Sequence, residues 1–191
     1  MAPAVSLLER VGVGRVSERV PVLVVSGPIG VGKTTILGEV SDLLRELDEA
    51  FVAVDFDALT QVFPWPDPFG IGIGSRNLAA VWANAAAVGA RRMVLASVIE
   101  TDYDLGTILE AVPGAEPFVV RLAADDPTLA DRIRRREIGS ARGWHLERSF
   151  ELADTLRRVG LEDAVVESDD RRIRDIGIEV LQVAGWPTPT T

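Results

Sequence analysis

One stretch constrains this chain more than any other: VLVVSGPIGVGKTT, residues Val22 to Thr35. Its apolar start, Val22 to Ser26, reads as a strand buried on both faces. The strand runs into Gly27-Pro28-Ile29-Gly30-Val31-Gly32-Lys33-Thr34, which fits G-x-x-x-x-G-K-[ST]. Lys33 to Asp48 then carries Ile36, Leu37, Val40, Leu43, Leu44 and Leu47 on a helical stripe. Strand, glycine loop and amphipathic helix together form a phosphate site. Glycines let backbone N–H groups turn inward, and the helix presents its positive end. A lysine adds a compact charge for the outer phosphates, and a threonine hydroxyl can ligate Mg²⁺. Gly27, Pro28, Ile29, Gly30, Val31, Gly32, Lys33, Thr34 and Thr35 are therefore expected to hold the phosphates of ATP, with Thr34 toward magnesium. Lys33 is the only lysine; every other member of the 20 Lys and Arg residues is arginine. The broad planar guanidinium does not fit so tight a nest as the ammonium does, which is why lysine persists here.

Downstream, apolar runs alternate with helical patterns. Strands are expected at Phe51 to Phe56, Met93 to Ile99, Pro117 to Leu122 and Ala164 to Glu167. Helices are expected at Asn77 to Gly89, Asp104 to Val112, Asp126 to about Glu137, Trp144 to Val159 and Arg172 to Val183. Asp126-Pro127 reads as a cap followed by proline at the first helical position, and Gly160 as a stop. Gly70-Ile71-Gly72-Ile73-Gly74 follows no strand and has no lysine, so it reads as a flexible loop. Five strands separated by helices give an α/β fold with a parallel sheet, whose ligands sit beyond the carboxyl ends of the strands. Residues 1–20 read as an N-terminal extension, 21–184 as the domain and 185–191 as a flexible tail, frayed from Trp186.

Composition narrows the function. The chain of 191 residues has no cysteine and one histidine, His145, so thiolate chemistry, cysteine-zinc sites and histidine-rich metal sites are excluded. A net charge of −9 weighs against a nucleic-acid partner. No apolar run approaches the roughly 18 residues of a membrane helix. No signal-like apolar region precedes the domain. The expectation is a cytoplasmic protein, monomer or homodimer, without nucleic-acid or membrane partners.

Asp55-Phe56-Asp57 stands where the second strand ends. Asp at a strand end commonly caps the next helix. One strand from a phosphate loop, the pair also suits phosphoryl transfer: one carboxylate accepts the proton of an attacking hydroxyl, the other holds Mg²⁺. After the fourth strand, Arg132, Arg135 and Arg136 fall at i, i+3 and i+4 on one helix face. Such a face can neutralise a transferring phosphoryl group. It can equally be a solvated face balanced by Asp131 and Glu137. His145 has no partner motif and reads as a capping or packing residue.

With a nucleotide loop after the first strand and Asp-x-Asp after the second, residues 21 to 184 resemble the small P-loop kinases. Shikimate, gluconate and adenylylsulfate kinases and chloramphenicol phosphotransferase are of this type, as are uncharacterised AAA-type ATP-binding proteins. The resemblance implies a three-layer P-loop NTPase fold with a five-stranded parallel sheet and a short lid. It implies Asp57 as the base on the acceptor hydroxyl and Asp55 nearer the metal. Arg132 with Arg135 or Arg136 match the lid pattern L-x-x-R-x-x-R beginning at Leu129, with Arg142 in a lid tip at Gly139 to Gly143. The loop Asp169 to Arg172 would lie against adenine.

Ala58 to Asn77 should build the acceptor pocket, with Phe63, Trp65 and Phe69 as walls and Arg76 for an anion. No Asp directly follows the third strand, which disfavours an ATP-driven machine. The expected function is transfer of the γ-phosphate of ATP to a small-molecule hydroxyl, with ATP and Mg²⁺ as cofactors. Lys33, Asp57, Asp55, Arg132 and Arg136 are the expected catalytic residues, Arg135 a further nucleotide contact, and Thr34 and Asp55 the metal ligands. The alternatives are a nucleoside or nucleotide kinase, or a non-catalytic ATP-binding regulatory or resistance protein.

Overall fold

The structure, a computed structural model, describes residues 19–64, 70–136 and 141–189, with the backbone alone at 141 and 142. Most of the expected extension, the aromatics Trp65 and Phe69, residues Glu137 and Gly139, and the Arg142 side chain lie outside this description.

Five strands form one parallel sheet in the order β2-β3-β1-β4-β5. They are β1 (Val20–Ser26), β2 (Phe51–Asp55), β3 (Arg92–Ala96), β4 (Ala115–Ala123) and β5 (Ala164–Glu167). Central β1 pairs Val22 with Met93 on one side and with Pro117 on the other. Its side chains alternate between two cores, as the two-residue period of a strand requires. Leu23 and Val25 join Val94, Val120 and Leu122 on one face. Val22 and Val24 join Met93, Leu95 and Val119 on the other. A strand buried on both faces cannot show polar alternation, so the unbroken apolar run of β1 was the right signal.

Helices cover both faces. On the first lie α1 (Lys33–Glu46) and α7 (Ile173–Val183), through Val40, Leu43, Leu44, Ile176 and Val180. On the second lie α3 (Ile71–Ala87) and α4 (Asp102–Ala111), through Leu78, Trp82 and Ile108. One-turn α2 (Phe56–Leu59) follows β2, and α5 (Asp126–Arg136) and α6 (Ala141–Val159) follow β4. Adjacent β1 and β3 thus send their next helices, α1 and α4, to opposite faces. A crevice opens at such a switch point, beyond the strand ends.

Several boundaries differ from the sequence expectation. The glycine-rich stretch expected as a loop is the start of α3, with Gly70 as its N-cap at φ 66°. Packing explains it: a Cβ on Gly74 would stand 2.8 Å from Phe56 Cζ and 2.9 Å from Thr60 Cγ2. Glycine lets α3 approach α2, at the cost of helix propensity, and contact outweighs propensity here. The cap of α5 is Asp125, whose Oδ1 accepts from Thr128 N at 2.7 Å, one residue before the expected Asp126. α4 opens two residues early because Thr101 and Asp104 form a reciprocal capping box. α6 begins at Ala141, so Gly143, expected in a turn, is helical, while Gly139 lies outside the described residues. Trp186 is not frayed. Its N–H bonds Leu181 O at 2.9 Å behind Gly185 at φ 68°, and its ring lies under Arg92 at 5.0 Å.

Candidate active site

The loop from Gly27 to Gly32 leaves the carboxyl end of β1. Gly27, Gly30 and Gly32 take φ values of 138°, 84° and 108°. At Gly27 a Cβ would also come within 2.6 Å of the Leu122 carbonyl. No side chain fits there, so the loop stays against β4. Lys33 folds back over the loop, and its Nζ donates to Gly27 O at 2.9 Å and Pro28 O at 3.0 Å. Desolvation pushes its pKa down to about 8, against the pull of Asp57 and Asp55 and with a further push from Arg136.

Asp55 does two jobs. Its Oδ1 accepts from Asp57 N at 3.2 Å, capping α2, and its Oδ2 accepts from Thr34 Oγ1 at 2.8 Å. The capping reading and the metal reading of this residue are therefore compatible. Thr34 and Asp55 offer two hard oxygen donors, which suits Mg²⁺ held mainly by substrate phosphates. Among the described residues no three His, Cys, Asp or Glu side chains gather as a protein-made metal cage. Asp57 is raised above the ordinary carboxylate range by desolvation; Lys33 opposes the shift, Asp55 adds to it, and Arg136 opposes it. Lys33, Asp55, Asp57 and Arg136 thus act on one another's charge at the loop.

Among the described residues three cavities touch the loop, one at Pro28 and two at Ile29 to Gly32; the latter two concern the site. One, of about 320 Å³, is lined by Gly30, Val31, Gly32, Thr35, Arg132 and Arg136 with the loop after β5. The other, of about 240 Å³, lies on the opposite side, between Ile29, Asp57, the β3–α4 connection, α4 and α6. The phosphate loop is the partition between them.

The arginine face of α5 divides. Arg132 Nη1 donates to Val31 O at 2.9 Å and Ser168 Oγ at 3.0 Å, and Nη2 to Ser168 O at 2.7 Å. It braces the phosphate loop against the β5–α7 loop. Arg136, one turn on, lines the first cavity. Arg135 points away and pairs with Asp131 at 2.8 Å with its side chain 80% exposed. On the acceptor side, Phe63 is 94% exposed, and Arg76 is exposed on α3 and does not line the second cavity.

Sequence reading missed Arg148, Ser149 and Ser168. Arg148 lines the second cavity and pairs with Glu100 at 2.6 Å. Buried Ser149 donates to Ile29 O at 2.7 Å, tying α6 to the phosphate loop. One signal was available: Trp144, Arg148 and Leu152 recur every fourth residue and all line the cavity. Ser168 had none, since its partners lie far away along the chain.

No family model and no curated protein matches the sequence. Solved structures do match its fold. The tunicamycin resistance protein of Deinococcus radiodurans aligns with a TM-score of 0.63 at 14% identity, over 91% of this chain and 100% of that one. A gluconokinase from Sinorhizobium meliloti aligns at 0.58 and 19% identity, over 90% and 94%. The APS kinase of Mycobacterium tuberculosis, in complex with AMPPNP and APS, aligns at 0.55 and 18% identity, over 87% and 98%. With five parallel strands in the order found here and helices on both faces, the chain has the three-layer α/β fold of the small P-loop kinases.

Proposed function

We propose that this chain binds ATP with Mg²⁺ and transfers the γ-phosphate to a hydroxyl of a small molecule. The observation that carries the reading is the pair of cavities on either side of one glycine loop, with Lys33 at the partition and Asp57 in the second cavity. A nucleotide entering the first cavity presents its terminal phosphate at the partition. An acceptor in the second cavity meets that phosphate from the opposite side, the geometry of in-line transfer.

Lys33 leaves the Gly27 and Pro28 carbonyls for the outer phosphates, whose charge offsets its desolvation. Thr34 and Asp55 would hold magnesium, which supplies charge neutralisation to the phosphates. Asp57 takes the proton of the acceptor hydroxyl as the new O–P bond forms. The bond from the γ-phosphorus to its bridging oxygen breaks, and ADP leaves with that electron pair. Arg136 screens the phosphoryl group in transit. Arg132 acts by holding both loops of the nucleotide cavity, as a positioning residue, and Arg135 has no part in the site.

The likeness to a tunicamycin resistance protein supports a second reading, a resistance function, which the same chemistry would serve by phosphorylating a toxic compound. The test is incubation with γ-labelled ATP, Mg²⁺ and pooled small metabolites, beside Lys33→Ala. Label in a small molecule with the wild type alone is expected. ATP binding with no transfer to any pool would contradict the kinase reading.

A further inference from the structure

The chemistry of the second cavity restricts the acceptor. Its charged lining residues among those described are Asp57, Glu100, Asp104 and Arg148. Arg148 is already spent: its Nη2 lies 2.6 Å from Glu100 Oε1 and its Nη1 lies 3.7 Å from Glu151. Asp104 is held by the α4 cap, where its Oδ2 accepts from the N–H groups of Glu100 and Thr101 at 3.0 and 2.9 Å. Three carboxylates thus face one neutralised guanidinium. Among the described residues, 58–64, 70–75 and 97–120 contain no Lys, Arg or His, and Arg148 is the one cation that α6 brings to the lining. Between the polar groups the surface is apolar, with Phe56, Ile108, Trp144 and Leu152. The volume, about 240 Å³, is at the small end for a ligand pocket.

We propose that the acceptor carries no anionic group: it is a small hydroxyl compound with an apolar body, uncharged or amine-bearing, and the Glu100–Arg148 pair is what excludes acids. An acid entering here would lose its hydration beside three carboxylates, with Arg148 already paired among the described lining residues and Lys33 and Arg136, which act on Asp57, committed to the nucleotide phosphates in the proposed reaction. An amine would meet Glu100 or Asp57 instead. The inference rests on the kinase reading, because it takes this cavity as the acceptor site.

The experiment compares three congeners on one scaffold: para-(hydroxymethyl)benzoate, the corresponding benzamide and the corresponding benzylamine. Their binding to the nucleotide-loaded wild type is measured by ligand-observed NMR, with ATP occupancy checked in the same sample. The amide and amine are expected to bind about tenfold or more tightly than the acid. Glu100→Gln removes the nearer of Arg148's two carboxylate partners and should narrow that gap, chiefly by raising affinity for the acid. Tighter binding of the acid to the wild type would overturn the proposal, and so would no binding of any congener while nucleotide is bound. The wild-type ranking decides without the variant. If acids prove to be the acceptors and label is transferred, this inference fails and the kinase reading stands. If no label reaches any compound of any charge, it is the kinase reading that fails.

Discussion

At the scale of single residues the site turns on two shifted groups. Lys33 has a folded pKa near 8 against an ordinary value of 10.5. Between those values the unfolded chain holds the proton that the folded chain has lost, so this group's contribution to stability rises with pH there. Below about pH 8 its desolvation is a constant burden on the fold. Lys33→Met should therefore be more stable than the wild type at neutral pH, with the difference shrinking from pH 8 to 10.5 in denaturant titrations. Function runs the other way. Bound phosphates favour the charged lysine, so ATP binding near pH 8–9 should take up a proton, visible by calorimetry in buffers of different ionisation enthalpy. Affinity for ATP should weaken as pH rises above about 8. As the proposed base Asp57 would act deprotonated, and its pKa lies above the ordinary carboxylate value, so kcat/KM should fall as pH drops through that raised value. The loop and the Asp pair were legible in sequence because spacing along one chain segment carries them. The Glu100–Arg148 pair was not, since its members lie 48 residues apart and meet only when α6 docks.

At the scale of elements, two contacts set the shape of the site. Arg132 joins α5 to the phosphate loop and to the β5–α7 loop with three hydrogen bonds. Hydrogen bonds from a charged group are worth about 1.5–3 kcal/mol each, though bonds sharing one group do not add. Arg132→Ala should cost about 2–4 kcal/mol of stability and raise KM for ATP more than it lowers kcat. An equal fall in kcat alone would mean that Arg132 touches the transferring phosphate. At the other contact, Gly74 lets α3 rest on Phe56 and Thr60 of the segment that carries Asp57. Overpacking by one methyl costs about 1–3 kcal/mol, which the better helix propensity of alanine, about 1 kcal/mol, only partly offsets. Gly74→Ala should lower the thermal midpoint and reduce turnover with little change in ATP affinity. The helical start of α3 escaped sequence reading for the same reason: glycine scores as a helix breaker, and only the tertiary contact shows why it is there.

At the scale of the molecule, sheet order and side-chain alternation place everything else. β1 is central, its next helix and that of β3 lie on opposite faces, and the crevice between them holds the partition and both cavities. The strand-and-helix alternation was readable because each element is long and periodic. Strand order and the two cavities were not, since both depend on contacts between distant segments. Ligand filling the nucleotide cavity should stabilise the whole fold. At 100 times its Kd, ATP with Mg²⁺ adds about 2.7 kcal/mol, seen as a raised thermal midpoint that Lys33→Ala abolishes.

The central claim is that Asp57 serves the acceptor across a loop from a nucleotide it does not bind. The direct test measures γ-phosphate transfer and ATP affinity side by side in the wild type and Asp57→Asn. Transfer should fall by about 10²–10⁴-fold, the range for loss of a general base, while the Kd for ATP stays within about threefold. Undiminished transfer, or a loss of ATP affinity that matches the loss of transfer, would contradict it.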